Sequence, residues 1–470
     1  MNRRKFIHLT TLSAVAHTLP AQIASNARSV SLNLQNAPTR IEVSQDFIGL
    51  GYEMSSVARM GLLRAGNSVY LQLVRQLGPR GTMRFGGIVA DHTRYEPQGT
   101  PKLEPDDTIL TRAAIDQVVA FLRATGWQAI WSVNFGTGTL ENAIAELRDV
   151  SALLGNRLIA VEIGNEVEAY SRGRQPHRPG GYTYDQYRAE YAKWHEALSG
   201  AVPHLQFAAP DTAGNVEWVE RMAADNNGTA QILTTHYYRA GQQNAEPEQL
   251  RVVDDRLRDK VQHLSAASAK SGLPWRICET NSYSGGGHPG LSDTLLGALW
   301  TLDYMLFLAT SGCAGVNIET GVNQLGFVSS YSPIQDDEHG RNWAGAPYYG
   351  MLAARAALAG NRNVLAVSLE NAAPTLTAYA FGETAARPAA VVVINRHASE
   401  DARIDLGALG KHLAHAAWVS GSGKDVTFSG STVSADGTWR PGRPVSPSRQ
   451  LQTVPAMSAV VLTTKPLHVP

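Results

Sequence analysis

The chain has 470 residues, with 41 lysines and arginines against 41 aspartates and glutamates, and two cysteines. Its 43% hydrophobic and 17% charged residues are those of a globular protein and exclude wholesale disorder. A formal charge of zero argues against a nucleic-acid binder, whose affinity rests on a basic surface.

In chain order, Arg3-Arg4-Lys5 followed by a weakly apolar run to Leu19 and small residues up to Ala27 reads as a twin-arginine export signal over residues 1–27. The expected location is periplasmic or secreted. The run is too short for a membrane anchor, and no later stretch reaches ~18 uninterrupted apolar residues. Removing the signal takes three basic residues and no acid, which leaves 38 basic against 41 acidic. Residues 28–45 carry the alternating Val30, Leu32 and Leu34, the pattern of a strand that joins a later β module.

From 46 to 358, β-branched runs alternate with amphipathic helical patterns. The expected strands are 47–52, 82–86, 128–135, 158–165, 206–210, 231–238, 275–280 and 315–319. Helical spacing covers 107–125, 140–154, 184–198, 247–269 and 291–309. Eight strand–helix units in ~310 residues predict an α/β fold, a (β/α)8 TIM barrel. A doubly wound sheet is the competitor, but no strand leads into a Gly-x-Gly-x-x-Gly turn. From 359 to 470 short strand-like runs separated by Gly, Pro, Asn and Asp predict an antiparallel β-sandwich. Cys278 and Cys313 lie in apolar segments and are expected to be buried, inert thiols.

Chemistry in a barrel collects where strands end. The fourth expected strand runs Val161-Glu162-Ile163-Gly164-Asn165-Glu166, and the seventh runs Arg276-Ile277-Cys278-Glu279-Thr280-Asn281. A charge at the end of an apolar strand is costly unless it is used or paired. Two such acids meet the demand of glycoside hydrolysis, in which one protonates the leaving oxygen and the other attacks the anomeric carbon or activates water. A structural ion pair is the plainer alternative for either one alone. No Cys/His cluster has metal spacing, so neither metal nor organic cofactor is expected.

The motifs Phe47-Ile48-Gly49-Leu50-Gly51-Tyr52-Glu53, Met83-Arg84-Phe85-Gly86-Gly87 running to Asp91, Asn165-Glu166, and Glu279-Thr280-Asn281-Ser282-Tyr283-Ser284-Gly285-Gly286-Gly287 together resemble glycoside hydrolase family 79, which contains β-glucuronidases and heparanases. The segment from Leu291 to Trp300 is similar to the family's seventh helix. The resemblance implies that Glu166 is the acid/base and Glu279 the nucleophile of a retaining mechanism. It implies further that Asn165 holds the sugar 2-hydroxyl and that Glu53 and Asp91 accept from other sugar hydroxyls, unless they pair with Arg84 or Arg94. Tyr331 and the backbone of Gly285 and Gly286 would receive a uronic-acid carboxylate. His236, Tyr237 and Tyr238 end strand six, where such enzymes keep a ring that steadies the nucleophile, and Tyr238 is counted among the substrate-binding residues. Arg84 is expected to orient a catalytic glutamate.

The family resemblance thus implies an exo-acting β-glucuronidase whose partner is a glucuronide-containing saccharide or glycoconjugate. Alternatives are a β-glycosidase for a neutral sugar, an endo-acting heparanase-like enzyme, and a non-enzymatic carbohydrate-binding protein. Glu319 departs from the pattern, because relatives carry histidine at the end of strand eight, and an acid facing the site would oppose an anionic ring. Arg172, Arg174, His177 and Arg178 follow Glu166 either as a solvated loop or as a contact to an anionic aglycone.

Overall fold

The computed structural model describes residues 29–173, 176–321, 329–337 and 339–467. The expected export signal and Arg174 lie outside them. Eight parallel strands close a barrel in chain order: Ile48–Glu53, Thr82–Gly86, Gln128–Val133, Leu158–Ile163, Phe207–Thr212, Ile232–Gly241, Trp275–Ser284 and Gly315–Glu319. The last pairs with the first through Glu319 and Gly51. Strands buried on both faces read as continuous apolar runs, which is why Gln128–Val133 and Leu158–Ile163 were legible without alternation. Among the described residues, no helix is long and apolar enough to cross a membrane.

Two expected helices begin or break elsewhere. Asp107–Leu110 is a strand, paired with Thr93–Tyr95 and Lys102–Glu104, and the helix starts only at Arg112, where the Thr111 hydroxyl accepts from Ala114 N–H. The pattern from 247 to 269 splits into Pro247–Arg251 and Asp255–Ser271, because the Asp254 side chain caps a new start. Helix Leu295–Thr310 is buried nearly all round, lying between the barrel and the β module.

Among the described residues the β module is one continuous sheet of nine strands, which curls on itself to form the two layers of the expected sandwich. Its order is Asp425–Phe428, His415–Ser422, Ser458–Thr463, Arg387–Asn395, Leu376–Thr384, Asn363–Glu370, Val30–Glu42, Ala402–Asp405 and Leu451–Val454. Strand periodicity divides its two faces. Val392, Ile394 and Val461 join the barrel core, whereas Val391, Val393 and Val460 form a second cluster with Val30, Ile404 and Val454. The far end of the sheet therefore folds back over its own centre, and register shifts around Pro38 in Val30–Glu42 mark the irregularity that lets it bend. Ala402–Asp405 and Leu451–Val454 were not legible, being four-residue strands in polar sequence. Both cysteines are free and buried. Burial pushes the Cys313 thiol up to about 11 and raises the Cys278 thiol well above its ordinary value.

A buried ion pair joins module and barrel. Arg396 lies 2.8 Å from Asp303 of Leu295–Thr310, Tyr379 donates to the same aspartate at 2.8 Å, and Arg396 reaches the Leu250 carbonyl at 3.1 Å. Breaking such a pair leaves an uncompensated charge. Arg396→Met is expected to lower unfolding free energy by ~3–5 kcal/mol in urea denaturation, whereas breaking an exposed pair such as Arg112–Asp116 is expected to leave it almost unchanged.

Candidate active site

Glu166 and Glu279 face one another at the C-terminal mouth of the barrel. One carboxylate oxygen of each and a ring nitrogen of His236 all lie within 4.8 Å of one another. Glu166 sits one turn beyond strand four in the left-handed region, φ 49°, and its N–H donates to the Asp211 carbonyl at 2.8 Å. The preceding Gly164 has φ 90°, and a β-carbon there would meet the Tyr170 hydroxyl at 2.3 Å, so the Gly-Asn-Glu turn needs glycine at that point.

Arg84 lies at the centre of the charges. The fully buried guanidinium donates from Nε to Glu162 at 2.8 Å, from Nη1 to Glu279 Oε2 at 2.9 Å, and from Nη2 to Asn165 Oδ1 at 2.8 Å and Asp211 Oδ2 at 2.5 Å. Glu279 Oε1 accepts the Tyr238 hydroxyl at 2.9 Å. Both oxygens of this glutamate are thus fixed by donors, which orients it.

His236 performs the matching task for Glu166. Nδ1 lies 3.2 Å from Glu166 Oε1, and Nε2 lies 3.0 Å from Asp211 Oδ1. With carboxylates on both sides, both nitrogens are suited to donate, which describes an imidazolium. Burial works against that charge, but Asp211 and Glu279 outweigh it and hold the ring well above its ordinary value. The same proximity of Glu166, His236 and Glu279 would suit a metal ion, yet Arg84 and His236 already supply the positive charge.

Two expected substrate contacts are corrected by this geometry. Asp91 is buried and pairs with neither Arg84 nor Arg94. It accepts from the Tyr170 hydroxyl at 2.7 Å, Gly136 N–H at 3.0 Å and Asn165 N–H at 3.3 Å, so its hydrogen-bonding capacity goes to placing Asn165. Burial pushes its carboxyl up to about 7 against these hydrogen bonds. Tyr238 gives its proton to Glu279 rather than to a sugar.

Glu53 remains at the site's edge, half-buried, accepting Val89 N–H at 3.0 Å. Burial, then the charge of Glu279, pushes it to about 8. Tyr331 stacks on Tyr238 with ring centroids 6.3 Å apart. Gly285 and Gly286 have φ 78° and 88°, and the Gly286 carbonyl accepts Ser330 N–H at 2.6 Å, which ties the turn to Tyr331. In the loop after Glu166, Arg178 is committed: it pairs with Glu190, donates to the carbonyls of Phe135, Gly136 and His177, and stacks on Phe135. It anchors the loop and is not free for an aglycone.

Asp211, Glu162 and Tyr170 were missed. Asp211 carried the same signal as Glu166, an acid at a strand end, but strand five was read as ending one residue short of it. Glu162 lies two residues before Gly164 on the strand, so the period of two already aimed it at the barrel axis.

No protein-family model matches the chain. Two curated relatives carry the name beta-glucuronidase. One, from Aspergillus niger, is 28% identical over 360 residues, 68% of this chain and 64% of its own. The other, from Neurospora crassa, is 29% identical over 234 residues, 44% of this chain and 41% of its own. The chain therefore spans less than two thirds of the curated relatives it matches. Among solved structures, a 4-O-α-L-rhamnosyl-β-D-glucuronidase from Fusarium oxysporum superposes with a TM-score of 0.75 at 18% identity, over 92% of this chain and 100% of that one. A family 51 α-L-arabinofuranosidase from Bifidobacterium longum gives 0.65 at 16% identity, over 92% and 99%. The fold is that of a (β/α)8 barrel with an appended β domain.

Arg84→Met would strand Glu162, Asp211 and Glu279 without their shared cation. The expected loss is ~3–5 kcal/mol of unfolding free energy, and because the acids are then protonated instead, the deficit shrinks as pH falls; urea titrations near pH 7 and pH 5 read both.

Proposed function

We propose that the protein is a retaining, exo-acting β-glucuronidase. The observation that carries the reading is the pair of glutamates at the ends of strands four and seven, with carboxylate oxygens within 4.8 Å, one held by Arg84 and Tyr238 and the other facing His236. Carboxyl groups of retaining enzymes stand ~5–5.5 Å apart and those of inverting enzymes ~6.5–9.5 Å, to admit a water. The closeness here favours direct attack.

In the first half-reaction a Glu279 oxygen attacks the anomeric carbon while Glu166 gives its proton to the departing glycosidic oxygen. The products are a glycosyl ester on Glu279 and the free aglycone alcohol. Glu166, now a carboxylate beside the His236 Nδ1–H, takes a proton from water as that water attacks the anomeric carbon. The C–O bond to Glu279 breaks and its carboxylate returns to Arg84 and Tyr238. Asn165 is fixed from two sides, with its oxygen on Arg84 and its N–H on Asp91, which leaves its amide nitrogen to meet the sugar 2-hydroxyl.

The glucuronide assignment is supported by the names of the curated relatives and by Tyr331 beside the Gly285-Gly286 turn, which together offer a hydroxyl and backbone donors to a C6 carboxylate. A neutral-sugar glycosidase on the same scaffold is the alternative.

Glu279→Gln and Glu166→Ala should each lower kcat on an aryl β-glucuronide by about 10³-fold or more. Azide should rescue only Glu166→Ala, yielding a β-glucuronosyl azide, because it needs no general base. Retention of more than about a tenth of the activity in Glu279→Gln would remove the mechanism. In a panel of aryl glucuronide, glucoside, galactoside and xyloside, preference for any neutral sugar would remove the glucuronide assignment alone.

A further inference from the structure

Strand eight ends in a carboxyl group that the mechanism above does not use. Glu319 is 3% exposed, and among the described residues neither of its oxygens has a hydrogen-bond partner. Its position is tight: a β-carbon on Gly51, its partner in strand one, would stand 2.4 Å from Glu319 Oε2. The neighbouring acids are served differently, since Glu53 accepts Val89 N–H and Glu279 is held by Arg84 and Tyr238. A carboxylate deprived of both water and donors is strongly disfavoured against its neutral form.

The groups facing Glu319 do not compensate it. The carboxyl groups of Glu279 and Glu53 oppose a further charge, and burial followed by these two pushes Glu319 well above the usual carboxylate range. Arg84 and His236 are the facing cations, but Arg84 is divided among Glu162, Asn165, Asp211 and Glu279, and His236 between Glu166 and Asp211. The remaining neighbours are the phenols of Tyr52, Tyr238 and Tyr331, all buried and uncharged.

We propose that Glu319 is a specificity-determining residue: a neutral carboxyl beneath the sugar subsite that leaves the site open to an anionic ring while protonated and opposes that ring once ionised. The inference rests on the glucuronidase reading. Its oxygens are covered, so Glu319 acts through charge and not by touching the sugar. The acid that on sequence alone argued against a uronic-acid substrate is compatible with one for as long as it stays neutral. A neutral glycoside has no charge for Glu319 to oppose, so it serves as the internal reference.

The test is kcat/KM for an aryl β-glucuronide divided by that for the matching aryl β-glucoside, on the wild type and Glu319→Gln. Any pH effect common to both substrates cancels in the ratio. In the wild type the ratio should fall on the order of tenfold as pH rises above neutrality, the scale of one added charge at subsite range; in Glu319→Gln that part of the fall should be lost, leaving only the smaller fall that Glu53 at the site's edge causes. A level ratio in the wild type, or an equal fall in both proteins, would overturn the proposal. An infrared difference spectrum, wild type minus Glu319→Gln at neutral pH, should show one protonated carboxyl stretch, and its absence would also overturn the proposal without any substrate. If the stretch is present but no glucuronide is turned over at any pH, the glucuronidase reading has failed and the specificity role falls with it, while the neutral carboxyl stands.

Discussion

One buried guanidinium organises the mouth of this barrel. Arg84 projects from strand two into the axis and donates to groups from strands four, five and seven and the turn after strand four. A charge so placed is tolerable only because acids surround it, and the acids are tolerable only because it is there. The network therefore has to form as a unit. Its outcome is positional, since the orientation of Glu279, the side chain of Asn165 and the side chain of Asp211 are all set by the fork of a single side chain.

From that centre the site divides into two differently supported carboxyls. Glu279 is held on both oxygens by donors, Arg84 and Tyr238. Glu166 is more exposed and is linked through His236 to Asp211, so it faces an imidazole that is itself anchored. Asp91 and Tyr170 hold the turn from below, and Arg178 clamps the following loop against Phe135. The β sheet contributes from a distance. By covering Leu295–Thr310 and pairing Arg396 with Asp303, it buries the helix behind strands seven and eight and so keeps strand seven, which carries Glu279, in place.

Much of this was legible in the sequence because barrel strands and their helices have strong periods, and all eight strands appear near their expected positions. Glu166 and Glu279 stood out because a glutamate at the end of an apolar strand is anomalous. What was not legible depended on three dimensions. Asp91 was the right residue with the wrong partner, since a sequence does not show that Tyr170 approaches it, and of the three rings expected to steady the nucleophile it is Tyr238 whose hydroxyl meets Glu279. The helix expected from Asp107 yields its first residues to a small sheet, a tertiary pairing that overrides local pattern. Glu319 looked like an obstacle to an anionic substrate because its formal charge was assumed; burial, then Glu279 and Glu53, pushes its carboxyl well above the usual carboxylate range.

The proposed retaining mechanism of Glu166 and Glu279 rests on their placement by the Arg84 network. Proton NMR of the first sugar released from an aryl β-D-glucuronide, taken before mutarotation, tests it directly. The β-anomer of glucuronic acid as first product is the predicted result. Initial release of the α-anomer would show single inversion and contradict the account.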